Sequence, residues 1–183
     1  AGEIQPTLQD IQDDIFRLAH TSNVIRTYSS LGPNAWVPAV AIAAGLEVFP
    51  GAWLDYPKTT LAQDEAEVQG LIQLACENAV SGVIVGNEYY LRHRNPEALS
   101  YLGSRIQAVK TGIQASCAKS VPVTTAEIDD LVFQYQGAAP VTALGAQTAY
   151  RLILDQLDFM MIHIYPFWAG LPIEGAAQHV INR

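Results

Sequence analysis

The side chains best suited to chemistry follow the predicted strands, at the point where each strand ends. They are carboxylates, a few other polar groups and large aromatic rings: Arg26 and Tyr28; Trp53 and Asp55; Asn87 and Glu88; Glu127 and Asp129; His163, Tyr165, Phe167 and Trp168. In parallel α/β folds the carboxyl ends of the strands form the ligand-binding edge. Carboxylates beside aromatic rings suit a carbohydrate, because glycoside hydrolysis uses paired carboxyl groups and sugar rings present apolar faces.

Glu88 is the strongest single candidate. It comes after the apolar strand 82–86 and Asn87, where the fold has no need of an acid, and its position suits a general acid. Asn87 beside it could bond a sugar hydroxyl. The alternative is that Glu88 caps the loop or pairs with Arg92 or Arg94.

Glu127 follows the next predicted strand and offers a second carboxylate or an acceptor for substrate. Neighbouring strands lie about 5 Å apart, which is close to the carboxyl separation of retaining glycosidases. On the residues alone, Glu88 and Glu127 are therefore the natural catalytic pair. The alternative is that Glu127 is the N-cap of the segment that follows it.

The remaining candidates flank these two acids. Tyr165 and Trp168 are interpreted either as a stacking surface for sugar or as core residues. His163, inside an apolar strand, is interpreted as a core or rim residue, because no HxH or HExxH partner for a metal is present. We expect Arg26 to pair with a carboxylate and Tyr28, two residues on, to point the same way.

Strand and helix patterns alternate along the chain. Apolar β-rich segments begin near positions 23, 46, 82, 121 and 159, and helical patterns start at Pro6-Thr7 and at Asn95-Pro96. This alternation indicates βαβ units on a parallel sheet, either doubly wound or a (β/α)8 barrel. No glycine-rich fingerprint follows the first strand, so a Rossmann nucleotide site lacks support. A whole barrel needs about 250 residues, so a barrel here would be incomplete.

Composition excludes several functions. The chain has 183 residues, with 10 basic and 18 acidic side chains and a net charge of −8, so it lacks the basic face that nucleic acid requires. The longest uncharged run, residues 27–46, is interrupted by prolines and is a poor membrane span. We expect one domain over residues 1–183 and no metal or cofactor.

Two further interpretations concern a pair of cysteines and a pair of acidic residues. Cys76 and Cys117 fit no metal motif, and free or packed thiols are favoured, with a single bridge left open. Asp64 and Glu67 lie in a helical pattern and are interpreted as part of its solvated face.

Five segments resemble, in the same order, glycoside hydrolase family 17, the β-1,3-glucanases and β-1,3-glucan glucanosyltransferases. They are NVIRTYS (23–29), GLEV with GAW (45–48 and 51–53), VIVGNE (83–88), VPVTTAE (121–127) and HIYPFW (163–168). The Val-Gly-Asn-Glu sequence is the most specific of them. The resemblance implies an α/β fold, a (β/α)8 TIM barrel of which residues 1–183 hold about strands two to six.

The resemblance also implies a retaining mechanism with Glu88 as the general acid/base. The family's nucleophile lies in a Glu-x-Gly-Trp-Pro stretch that is absent here, so this chain alone is expected to be inactive. Glu127 then becomes a substrate-binding or site-ordering residue. The expected substrate-binding set is Arg26, Tyr28, Trp53, Asn87, Glu127, His163, Tyr165 and Trp168.

The implied partner is β-1,3-glucan or a related oligosaccharide, and the implied location is secreted, periplasmic or cell-wall associated. The alternative is a non-catalytic β-glucan-binding or cell-wall module. An incomplete barrel would leave two open sheet edges, which predicts self-association.

Overall fold

The structure is a computed structural model that describes residues 5–129, 151 and 153–182. In this part of the chain the order is α1 (Leu8–Leu18), β1 (Val24–Arg26), a 3-10 helix (Gly32–Trp36), α2 (Val37–Ala43), β2 (Glu47–Phe49), β3 (Gly51–Ala52), α3 (Leu61–Glu77), β4 (Val83–Asn87), α4 (Tyr89–His93), α5 (Pro96–Cys117), β5 (Val123–Ile128), β6 (Met161–His163) and α6 (Ile173–Ile181). The long connection that the sequence predicts over residues 134–146 lies outside the described residues.

Every strand pairing is parallel in the described residues. β1 pairs with β2, and β3, β4, β5 and β6 follow one another in a second sheet. The predicted strand from Leu46 to Trp53 is divided at Pro50, because proline has no N–H to give to a ladder. The carbonyls of Phe49 and Pro50 nevertheless accept from Thr27 (3.1 Å) and Ile84 (2.9 Å), so the two sheets continue into each other.

The predicted helix starts are confirmed by their caps. The Thr7 side chain accepts from the Asp10 N–H in a capping box at the start of α1. At α5 the Asn95 Oδ1 accepts from the Ala98 N–H at 2.7 Å, with Pro96 as the first helical residue. These local signals satisfy the free N–H groups of each first turn, so the helix starts can be identified from sequence alone.

Of the two apolar clusters in the described residues, the larger lies between the sheet and the helices α3 and α5, and the smaller joins α1, α2 and β2. All five residues of β4 are buried, as expected for a central parallel strand. The apolar side chains that cover it are Val68, Leu71, Leu99, Leu102, Ile106 and Val109. None of the described helices is both long and apolar enough to cross a membrane.

The interpretation of Asp64 and Glu67 as solvated residues is wrong. Their exposed fractions are 1% and 8%. The Glu67 carboxylate accepts from the Ser30 N–H (2.8 Å) and the Trp53 N–H (3.2 Å), and Asp64 accepts from the Asp55 N–H (3.1 Å). The loops after β1 and β3 fold back onto α3, and their buried N–H groups need these acceptors.

Cys76 and Cys117 form a disulfide, so the favoured interpretation of free thiols is wrong. Cys76 lies in the last turn of α3 and Cys117 ends α5. The two helices pack side by side and bring the Cα atoms to 5.6 Å, within the range that a bridge requires. The pairing depends on this helix contact, which the spacing of the two cysteines in the sequence does not reveal.

Candidate active site

Glu88 comes directly after β4, whose last residues are irregular. The β4–β5 register shifts between Ile84 and Asn87, and Gly86 within this interval has a φ of +78°. Glu88 itself takes the left-handed conformation, with φ 49°, while its N–H donates to the Ala126 carbonyl at 2.7 Å. An irregularity of this kind redirects the side chains that follow it.

The Glu88 carboxylate is oriented through one oxygen. Its Oε1 lies 2.7 Å from His163 Nδ1 and accepts from the Tyr165 hydroxyl at 3.1 Å. In the described part of the chain nothing hydrogen-bonds Oε2, so that oxygen remains available to a substrate. The alternative pairing with Arg92 is wrong, because Arg92 pairs with Asp55 instead.

Arg26 determines which nitrogen of His163 carries the proton. The Arg26 Nη1 lies 2.8 Å from His163 Nε2, and a guanidinium only donates. His163 Nε2 therefore accepts, and the Nδ1 proton is donated to Glu88. The second Arg26 nitrogen donates to Asn87 Oδ1 at 2.9 Å.

In the part of the chain that the structure describes, the expected direct pairing of Arg26 with a carboxylate is wrong. Its hydrogen-bond partners there are the side chains of Asn87 on β4 and of Met161 and His163 on β6. Burial lowers the pKa of Arg26, and the nearby Tyr28, Tyr165 and Glu88 oppose that effect. Burial, and then the Glu88 carboxylate, raise the pKa of Tyr165 to about 12, so its hydroxyl remains a donor at neutral pH.

The predicted aromatic residues are divided between two places. The Tyr28 ring lies 4.5 Å from the Arg26 guanidinium carbon, beside the Glu88 site. Trp168 is 77% exposed and packs edge-to-face on Phe167, with ring centroids 5.1 Å apart. Among the residues that the structure describes, no hydrogen bond or ring contact joins this exposed pair to Glu88.

Glu127 holds the helix that begins after Glu88. Its exposed fraction is 3%. The Oε2 atom accepts from the Tyr90 N–H (3.1 Å) and the Leu91 N–H (3.2 Å), and Oε1 accepts from the Ile128 N–H (3.0 Å). The first two are N-terminal donors of α4, so Glu127 caps this helix. The segment after Glu127, for which the sequence analysis offered a cap, lies from residue 130 outside the described residues.

The surroundings of Glu127 also change the pKa of its carboxyl group. Burial is the largest effect and raises the pKa of Glu127 to about 7, although the three N–H donors oppose it and the Glu88 charge adds to it. A carboxyl with this pKa changes its charge near neutral pH, and Glu127 binds the backbone immediately after Glu88.

Arg92 belongs to this edge, and sequence analysis considered it only as a possible ion-pair partner of Glu88. Its guanidinium donates to the carbonyls of Leu54 (2.7 Å) and Asn87 (3.1 Å), and its carbon lies 4.3 Å from the Trp53 ring centroid. Only its proximity to Glu88 in the chain could have drawn attention to it. Its partners Leu54 and Asp55 come from the end of another strand and cannot be identified from that spacing.

Acidic groups, an amide and aromatic rings at the carboxyl edge of a curved parallel sheet are the arrangement of a carbohydrate-active α/β barrel. The sequence profile of the BtgE/BtgC glycoside hydrolase domain matches residues 2–183, and the chain belongs to this family. The fold resembles a glycoside hydrolase family 17 β-1,3-glucanosyltransferase from Rhizomucor miehei, with a TM-score of 0.71 and 25% identity over 98% of this chain. The predicted resemblance to family 17 and the incomplete α/β barrel are confirmed.

A more distant structure is similar to this chain in fold alone. ScGas2 in complex with compound 11 superposes with a TM-score of 0.53 and 16% identity, covering 84% of this chain and 43% of that one. The chain spans 59% of the Rhizomucor structure. Among curated proteins, none matches the sequence significantly.

Proposed function

We propose that this chain carries the acid/base half of a retaining enzyme that acts on β-1,3-glucan, with Glu88 as the general acid/base. The single observation behind the proposal is the Glu88 carboxylate, held through Oε1 by His163 and Tyr165 at the carboxyl end of β4. The nucleophile is assigned to a glutamate outside residues 1–183.

The proposed reaction uses Glu88 twice. A proton on Oε2 passes to the glycosidic oxygen as the outside carboxylate attacks the anomeric carbon, so the leaving sugar departs as an alcohol. Glu88, now a carboxylate, then takes a proton from water or from an acceptor sugar as that oxygen displaces the enzyme carboxylate. Water gives hydrolysis and a sugar gives transfer.

The surrounding residues have different roles in this proposal. Tyr28, Asn87 and Tyr165 line the site next to Glu88 and contact the sugar. Arg26 and His163 orient the acid, and Glu127 orders the turn through α4 rather than binding substrate.

The substrate class and the location rest on separate observations. Likeness to a β-1,3-glucanosyltransferase supports β-1,3-glucan as substrate. The Cys76–Cys117 disulfide supports secretion or cell-wall association, because disulfides persist in oxidising compartments.

The test compares Glu88→Gln with wild type in the full-length protein that contains this chain. Glutamine keeps the size but cannot give up a proton, so turnover of laminarin should fall by about 10²-fold or more. An aryl glucoside with an acidic leaving group needs no protonation, so its cleavage should lose far less rate. Glu65→Gln, on the exposed face of α3, is the matched control. Equal losses on both substrates would contradict the acid/base role.

Residues 1–183 are proposed to form a single partial barrel domain that is inactive alone and self-associates. β1 pairs only with β2, and β6 only with β5, within the described residues. Size-exclusion chromatography with light scattering should show oligomers of the isolated chain. A stable monomer that hydrolyses laminarin would contradict both statements.

A glycan-binding module without catalysis is the second candidate, and the exposed Phe167–Trp168 pair favours it. Calorimetry with laminari-oligosaccharides should then show binding without products. Trp168→Ala should weaken that binding, and Trp36→Ala, which changes an exposed tryptophan on the helix side, should not.

A further inference from the structure

Arg92 joins the ends of β3 and β4. Its guanidinium pairs with the Asp55 carboxylate and donates to the Leu54 carbonyl at 2.7 Å. The Asn87 carbonyl accepts from its Nη2 (3.1 Å) and its Nε (3.3 Å). A planar fork of donors can reach these acceptors together, which a lysine ammonium cannot do.

The same guanidinium covers one face of an indole at the site edge. Its carbon lies 4.3 Å from the Trp53 ring centroid, a cation–π distance. Trp53 is 37% exposed, and its backbone N–H is held by Glu67 at 3.2 Å. The guanidinium thus covers one face of the indole, while part of the residue remains exposed to a partner.

Arg92 also holds the turn that carries Glu88. The Asn87 carbonyl that it binds belongs to the residue immediately before Glu88, and the Arg92 N–H donates to the Glu88 carbonyl at 3.1 Å. Glu88 has a positive φ, which a non-glycine residue keeps only where its surroundings require it. Arg92 thus links the indole and the acid through one side chain.

We propose that Arg92 is a positioning residue that fixes Trp53 as a one-faced stacking surface for a sugar ring, in register with Glu88. The proposal rests on the proposed function, since a β-glucan supplies the ring. The apolar face of a pyranose stacks on the open face of the indole. The guanidinium keeps that face at a constant position relative to the acid.

Arg105 provides a matched control on the helix side. It also pairs with an acid, Glu65 at 3.0 Å, and also lies over an aromatic ring, with its carbon 5.3 Å from the Tyr101 centroid. It joins α5 to α3 and touches neither Trp53 nor the Glu88 turn. An effect seen when Arg92 is replaced, but not when Arg105 is replaced, is therefore specific to the site. It is not a general result of removing an arginine with these contacts.

The experiment uses the full-length protein labelled with 5-fluorotryptophan and observed by ¹⁹F NMR. The Trp53 signal is assigned by its loss in Trp53→Phe. Without any sugar, Arg92→Gln should shift this signal, and Arg105→Gln should leave it in place. Laminari-oligosaccharide should shift it in wild type, and Arg92→Gln should weaken the titrated Kd by about tenfold.

Kinetics separate positioning from a general loss of structure. Arg92→Gln should raise KM for oligosaccharides more than it lowers kcat, because Ala126 and Glu127 still hold the Glu88 turn. Arg92→Lys, which keeps the charge without the fork, should fall between Arg92→Gln and wild type, and it serves as the test if the glutamine variant does not fold.

The outcomes distinguish this inference from the proposed function. If the oligosaccharide does not shift the wild-type Trp53 signal and the wild-type protein shows no turnover, both the inference and the proposed function are wrong. Turnover with a responsive Trp53 signal that is the same in Arg92→Gln would overturn the positioning role alone. Equal changes in Arg92→Gln and Arg105→Gln would also overturn it.

Discussion

Glu88 follows β4 and Glu127 lies near the end of the neighbouring β5, yet the protein treats the two carboxylates differently. Among the described residues, Glu88 receives side-chain donors on Oε1 only, at the carboxyl edge of the sheet. Glu127 is buried, and backbone N–H groups occupy both of its oxygens. One acid is left available for chemistry, and the other holds the helix that follows the first. Position at a strand end therefore does not by itself define a catalytic residue.

The largest expected difference between the two acids is in turnover. Glu88→Gln should lower laminarin turnover by about 10²-fold or more. The melting temperature should stay close to wild type, because the Glu88 carboxylate accepts from no backbone N–H in the described part of the chain. Turnover and thermal unfolding are measured on the same preparations. A large loss of stability with little loss of rate would reverse the roles of the two acids.

The pH dependence of stability should identify Glu127. Its folded pKa of about 7 lies above the ordinary glutamate value of 4.5, so the folded state keeps a proton that the unfolded chain releases. Its contribution to stability is complete below pH 4.5 and is lost as the pH rises through 7, by an amount on the order of 3 kcal/mol. Glu127→Gln should remove this part of the dependence.

Urea unfolding at about pH 4.5, 6 and 8, a range that spans both pKa values, measures this effect. Wild type should lose more unfolding free energy across the range than Glu127→Gln does. Parallel curves for the two proteins would show that Glu127 does not titrate there. Glu65→Gln, an exposed α3 acid, serves as the control and should follow wild type.

Tyr165 tests how much the orientation of Glu88 matters. Tyr165→Phe keeps the ring and removes one of the two donors to Oε1, so turnover should fall by about tenfold, as for one hydrogen bond to a charged group. Tyr101→Phe, which removes a hydroxyl donor to the Asp64 carboxylate on the helix side, should change turnover much less. If the two variants lose equal rate, the donor to Glu88 has no special role.

The smallest expected effect is a change in the pKa of Glu127 when the charge of Glu88 is removed. The Glu88 charge helps to raise the pKa of Glu127, so Glu88→Gln should lower that pKa while leaving the backbone donors in place. Carbon-13 NMR of the Glu127 carboxyl across the titration measures the change. No change would mean that the two carboxyls do not sense each other's charge.

Several features could be predicted from residues close together in the chain. The strand starts, the caps at Thr7 and Asn95, and the apolar strand that leads to Glu88 all depend on patterns within a few residues. Hydrophobic period and capping act over one or two helical turns, so these signals can be read without knowing the fold.

Other features depended on residues far apart in the chain. The buried state of Glu67, the Cys76–Cys117 bond and the contacts of Arg26 with β6 each join elements that are separated by many residues. A charged residue on a helical pattern looks solvated until a loop folds over it. Two cysteines look free until two helices bring them together.

The sequence by itself therefore determined the α/β alternation, and it drew attention to the polar residues at the strand ends, with Glu88 as the proposed acid, because each rests on local pattern and on the order of short segments. Only the tertiary structure decided that Glu127 caps α4, that His163 donates its Nδ1 proton to Glu88, and that Arg92 joins Trp53 to the Glu88 turn. These roles depend on which donor meets which acceptor across strands, and only the folded chain brings those atoms within hydrogen-bonding distance.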